Sequence, residues 1–211
     1  MKNLFKDSSN RIYCGFVLIL SLCSLIACDS DDAPSQESLL PPITMTGENT
    51  FGCLIDGKFF RPRDGNNSIG GDSKGLRIIT TETTNVEYKI EDFASSRSAS
   101  LLIHIENFQN DSASNYEFQE SNGLRGIDGL NNNYAHCRIW KNEEVGYQRY
   151  VTFPNSGMIN ITNRIIQGQA DYHHATFDLK MINTSIQNDT ITIRLGRFDL
   201  ESFTLDWKDW D

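Results

Sequence analysis

The chain has 211 residues, and 28 acidic side chains against 19 Lys and Arg leave it a net charge of −9. No basic run interrupts that acidity, which excludes nucleic acid as a partner because phosphate binding needs clustered Lys and Arg. The length suits one folded domain with a real core, and the charge is spread rather than blocked.

Residues 1–27 read as an export segment. Lys2, Lys6 and Arg11 form a positive start with Asp7 as its only acid, and Ile12 to Ala27 is almost wholly apolar and uncharged. That run is the length of a signal-peptide core and falls short of the ~20 apolar residues that span a bilayer. Its end, Leu25-Ile26-Ala27-Cys28, resembles the lipobox of bacterial lipoproteins. The resemblance implies cleavage before Cys28 and lipidation of its thiol, with stable anchoring once two or more acyl chains are attached. The membrane is then a partner through that anchor.

Asp29-Ser30-Asp31-Asp32 follows directly. Ser30-Asp31-Asp32 resembles the acidic export signal of Bacteroidota surface lipoproteins and implies an outer-membrane protein facing the medium. An Asp directly after the lipidated Cys, here Asp29, would in proteobacteria mean inner-membrane retention, and a plain solvated tether is the third reading. Residues 28–48 are rich in Asp, Ser, Pro and Gln, with Pro41-Pro42 near the end, so they read as an extended tether. The folded domain is expected over 49–211.

From Asn49 onward the apolar period is two. Phe51–Ile55 and Lys58–Phe60 flank Asp56-Gly57, a hairpin signal, because Asp-Gly supplies the positive φ angles of a type I′ turn. A polar Gly-rich loop runs from Asp64 to Gly75. Strands are predicted over 76–81, 86–93, 100–108, 116–120, 134–141, 147–153, 158–162, 165–167, 175–183 and 190–195. Leu101, Ile103 and Ile105 alternate with Leu102, His104 and Glu106, so that strand has one wet face. Phe203, Leu205 and Trp207 continue the alternation near the end. No 11-residue window after the export segment carries a helical stripe. Roughly ten short strands with turn signals between them predict an all-β antiparallel β-sandwich.

Cys14 and Cys23 leave with the export segment and Cys28 is the lipidation site, so Cys53 and Cys137 remain. In an exported domain they are candidates for one disulfide, with two separate buried thiols as the alternative.

The run Thr46-Gly47-Glu48-Asn49-Thr50-Phe51-Gly52-Cys53 with Asp56-Gly57 resembles the opening of a Bacteroidota lipoprotein family of unknown function. Gly157–Thr162 and Ile191–Asp199, which contains Gly196-Arg197-Phe198-Asp199, resemble its middle and closing motifs. Gly168-Gln169-Ala170 departs from the family's pattern. The family has no established activity, so the resemblance implies fold and location and supplies no catalytic residue.

Several groups carry chemistry in principle. On a strand Asp171 and His173 share a face, while His174 points away, making Asp171 and His173 weak metal candidates that need further ligands such as His104, Glu106 or His136. Surface histidines are the plainer reading, and neither metal nor cofactor is expected. Asp64–Asp72 offers oxygen ligands but fails the EF-hand pattern, with Ile69 where Gly is needed. No SxxK or CxxC is present, and Glu143-Glu144 reads as a solvated turn.

Trp140, Trp207 and Trp210, with Tyr147 and Tyr150, offer ring faces for sugars. Trp140 and Trp207 are expected in the core and Trp210 in an exposed tail. Asp111-Ser112-Ala113 and Asp189-Thr190-Ile191 resemble Bacteroidota O-glycosylation sites, with Ser112 the better candidate. These features favour a non-enzymatic binding or interaction module for a glycan or protein ligand. A structural envelope component and a polysaccharide hydrolase are the alternatives.

Overall fold

Alternating apolar side chains, cut by turns such as Asp56-Gly57 and Pro154-Asn155, become eleven antiparallel strands among the described residues of a computed structural model of the protein. The structure describes residues 33–65, 73–80, 84–108, 113–123, 131–165 and 171–211. The expected export segment, Cys28, Ser30–Asp32, Ser112 and Gly168-Gln169-Ala170 lie outside the described residues. The strands are β1 (Thr50–Ile55), β2 (Lys58–Phe60), β3 (Leu76–Thr80), β4 (Val86–Glu91), β5 (Ala99–Ile105), β6 (Ala113–Glu117), β7 (Tyr134–Asn142), β8 (Gly146–Val151), β9 (Gly157–Ile165), β10 (Asp171–Asn183) and β11 (Thr190–Glu201).

They form one sheet in the order β2-β1-β11-β10-β8-β7-β5-β4-β3, with β9 added beside β10 and β6 beside β9. The sheet curls into a half-barrel. β10 makes the corner. From Asp171 to Leu179 it pairs with β9, and at Ile182 and Asn183 it pairs with Val151 and Tyr150 of β8. The layers of the expected sandwich are therefore halves of a continuous sheet, facing each other across one core. Tyr88 of β4 meets Phe198 of β11 with ring centroids 4.7 Å apart, although many strands separate them along the sheet. Phe51, Phe177 and Phe198 pack on one half, and Ile90, Ile103 and Ile105 face them from the other, all buried. Each such side chain contributes about 1.5–3 kcal/mol on burial.

The turn at Asp56 (φ 47°) and Gly57 (φ 76°) matches the sequence reading. A bulge in β11 does not. Leu195 sits at φ 52°, and the register against both β1 and β10 shifts there. The extra residue flips the pleat, so Ile191 and Ile193 before it and Phe198 and Leu200 after it all face the core. The strand predicted over 190–195 therefore continues to Glu201. Gly196 lies under the Phe177 ring, where an added Cβ would come within 2.3 Å of Phe177 Cε2.

Two further differences concern the ends. Gln36 onward belongs to the same unit as the sheet. Gln36 Oε1 accepts from the Phe59 N–H on edge strand β2, and Pro41 lies over Gly52. Thr44, Thr46, Gly47 and Glu48 all donate to the Asp199 carboxylate. The second half of the expected tether is thus an arm laid on the sheet, because Asp199 gathers its backbone N–H groups.

At the other end, Ser202–Leu205 forms a single helical turn, α1, instead of a strand. Leu205 points inward while Phe203 and Trp207, four residues apart on one side, are exposed. Trp210 then folds back into the core at 7 % exposure, whereas Trp207 is 85 % exposed. The expected roles of these two tryptophans are reversed, because the helical turn breaks the period of two.

Candidate binding face

Each strand of the half formed by β4, β5, β7 and β8 sends alternate residues to the core and to the outside. Tyr88, Ile103, Cys137 and Tyr150 go inward. Their neighbours form rungs on the outer face. Glu87, His104 and Tyr134 make one rung, followed by Lys89, Leu102, His136 and Val151. Glu91, Ser100, Arg138 and Arg149 make the next, and Trp140 with Tyr147 the last.

Three adjoining depressions cover these rungs. One is bordered by Lys89, Ser100 and His136, one by His136, Arg138 and Arg149, and one by Glu91, Ser98, Arg138 and Tyr147. Shared walls at His136, Arg138 and Ser100 make them one cleft across four strands. Its two larger parts have cavity volumes of about 150 and 220 Å³, shallow depressions smaller than an enclosed small-molecule pocket.

The Arg138 guanidinium lies 3.7 Å from the Tyr147 ring centroid, and Arg97 sits 5.5 Å over Trp140. Tyr147 is fixed by its hydroxyl, which donates to the Ser96 carbonyl at 2.8 Å. Trp140 meets Tyr147 edge to face at 5.2 Å, so Trp140 belongs to this surface and not to the core. At the far end Glu87 Oε1 lies 3.2 Å from His104 Nδ1, both residues fully buried, with Tyr134 stacked on the imidazole at 4.5 Å. Burial, reinforced by the Glu87 carboxylate, pushes the Tyr134 hydroxyl up to about 12. Among the described residues His104 Nε2 and Glu87 Oε2 have no hydrogen-bond partner, although Lys89 Nζ stands 3.7 Å from the latter. Against family models, curated proteins and solved structures, this chain has no match.

The other sequence candidates scatter. His173 faces the core at 3 % exposure, with Nδ1 2.8 Å from the Tyr88 hydroxyl and its ring stacked on Phe108. Burial, and secondarily His174, pushes it down to about 4, so it is a neutral core imidazole and not a surface ligand. Asp171, half-buried at the start of β10, donates its backbone N–H to Ser202 Oγ. Among the described residues no three His, Cys, Asp or Glu side chains converge as a metal site.

Cys53 and Cys137 are free thiols, both fully buried in the one core. Burial raises both pKa values, with Cys137 adding to the rise at Cys53 and Asp56 adding to that at Cys137. Asp64 closes its own loop by accepting from the Gly75 N–H at 2.6 Å and from Lys74. Glu143 pairs with Arg97 in the β7–β8 turn. Tyr150 is core, its hydroxyl donating to Asp189 at 2.6 Å, and Thr190 is exposed at the start of β11.

Arg138, Arg149 and Lys89 escaped the sequence reading. Counting back from Asn142 opposite Gly146 would set Arg138 opposite Tyr150, and only the bulge between Trp140 and Asn142 brings Arg138 opposite Arg149.

Proposed function

We propose that this chain is an envelope lipoprotein anchored through Cys28 and displayed on the cell surface, with a β domain that works as a non-enzymatic binding module. The lipobox, the acidic segment after it and the likeness to Bacteroidota lipoproteins support the anchoring and the location. The observation that carries the binding role is the cleft across the outer face of β4, β5, β7 and β8. Its lining joins ordered rings and cationic groups to hydroxyl and carboxylate side chains, which is what a polar ligand with apolar patches requires.

Two experiments test the two halves of the reading. Cys28→Ala should release the protein from the membrane fraction, and undiminished retention refutes lipidation. Full-length protein in mild detergent, screened on a glycan array and against envelope extracts, should capture a ligand that an Arg138→Gln change weakens. Capture unaffected by that change places the binding surface elsewhere.

A further inference from the structure

Arg138 and Arg149 are directly opposed across the β7–β8 ladder, and both side chains are exposed on the outer face. Opposed residues on adjacent strands hold their Cβ atoms only about 5 Å apart, so like charges there repel. Elsewhere on this face the cations are matched. Arg77 stands 3.8 Å from Glu91, Lys89 3.7 Å from Glu87, and Arg97 pairs with Glu143. Among the described residues, Arg138 and Arg149 have no carboxylate partner. The nearest acid on their rung, Glu91, is two strands from Arg138, roughly 10 Å away. In a chain of net charge −9, two adjacent unmatched guanidinium groups are a specific arrangement and not a reflection of bulk composition.

The surroundings suit an anion. Tyr147 holds the Arg138 guanidinium over its ring, and the Ser96 carbonyl pins Tyr147 in turn. That reduces the entropy lost when the planar fork binds a carboxylate or sulfate through two hydrogen bonds. The cleft beside it offers Ser98 and Ser100 hydroxyls, Glu91, and the exposed Phe93 ring. Rows of hydroxyls next to an apolar face match a sugar ring.

An acidic peptide fits less well. Peptides commonly bind by adding a strand to a free edge. β4, β5 and β7 are paired on both sides, β8 meets β10 at Tyr150 and Val151, and the cleft crosses the strands instead of following an edge.

We propose that this cleft binds an acidic oligosaccharide, with Arg138 and Arg149 together receiving a carboxylate or sulfate group and the Tyr147 side of the cleft receiving the adjoining ring. The assignment rests on the binding-module reading and names its ligand class.

The test is calorimetric titration of the full-length protein with five probes. Trigalacturonate and a heparin-derived tetrasaccharide carry the two anionic groups, maltotriose is neutral, triglutamate is an acidic peptide, and inorganic sulfate is the bare anion. Binding of trigalacturonate or the heparin fragment is expected, weakening as sodium chloride is raised. Arg138→Gln and Arg149→Gln should each weaken it roughly tenfold or more, as expected when a charge-assisted hydrogen bond is lost.

Without ligand, Arg149→Gln should raise the thermal midpoint, because it removes the repulsion. A fall would mean that the pair serves the fold, which overturns the assignment. Sulfate alone binding as tightly as either saccharide, or triglutamate doing so, also overturns it. Maltotriose bound equally by wild type and the double variant R138Q/R149Q overturns the acidic class and leaves the binding-module reading standing. No binding of either acidic saccharide overturns the assignment as well.

Discussion

The Asp199 carboxylate, 1 % exposed, lies 2.6 Å from Nδ1 of His174, its direct partner across the β10–β11 ladder. The same carboxylate accepts from the Thr44 hydroxyl at 2.5 Å and from the N–H groups of Thr46, Gly47 and Glu48. Asn49, at φ 50°, continues this lock, donating to Thr204 Oγ1 and accepting from the Glu201 N–H. Residues 44–49 and the Asp199 end of β11 are therefore one structural device. It clamps the arm to the sheet. Burial opposes ionisation of Asp199, but the Thr44 hydroxyl and the three backbone N–H groups outweigh it and hold its pKa below the ordinary value.

Asp199→Ala removes the acceptor for all five donors and leaves His174 buried beside an empty place. Breaking one partner out of such a buried group costs roughly 3–5 kcal/mol. Urea unfolding should show that loss. Limited proteolysis should cut the variant within residues 36–48, a segment that stays protected in the parent.

His173 sets an acid limit at higher pH. Its pKa is pushed down to about 4 in the folded protein, from 6.5 in the unfolded chain. Above pH 6.5 both states are neutral and nothing is lost. Between pH 6.5 and 4 only the unfolded chain takes up the proton, so stability falls as pH drops, by up to about 3 kcal/mol. The contribution of Asp199 is lost only below the ordinary carboxylate range. Chemical denaturation across this window should be flatter for His173→Gln, which keeps polar groups for the Tyr88 hydroxyl without titrating. An unchanged slope would assign the acid loss to other groups.

The two buried thiols should be silent in the native protein. Cys53 and Cys137 have their pKa values raised by burial, so the reactive thiolate is scarce and shielded. A chromogenic disulfide reagent should find both thiols only on unfolding. Rapid reaction under native conditions would contradict their placement, and failure to find them in denaturant would mean that they are bonded.

Gly196 has no room for a methyl group, since its Cβ would meet the Phe177 ring. Gly196→Ala should destabilise by about 1–3 kcal/mol, as overpacking does. Adding Phe177→Leu should return part of the loss caused by Gly196→Ala. Additive effects in that double-mutant cycle would argue against the contact.

Much of the fold was legible because its cues are local. Alternation in Leu101–Ile105 and the Asp56-Gly57 turn depend on neighbours in sequence, and both appear as read. The readings that failed depend on one residue altering the period. Leu195 adds a bulge that inverts every side chain after it, so Asp199 became a buried outer-face acid that alternation could not reveal. The turn Ser202–Leu205 exchanged the places of Trp207 and Trp210 in the same way. The binding face was missed for a different reason. Arg138 and Arg149 look like ordinary solvated charges until register shows that they face one another with nothing between.

By itself, then, the chain's order of residues determined the all-β class and the hairpins. Those follow from hydrophobic period and turn chemistry, which act over a few residues. Tertiary structure alone decided that the strands form one curled sheet, that Asp199 clamps the arm, and that two arginines stand unmatched in a cleft. Each of these is set by pairing between residues far apart in sequence, where a shift of one residue turns a core side chain into a surface one.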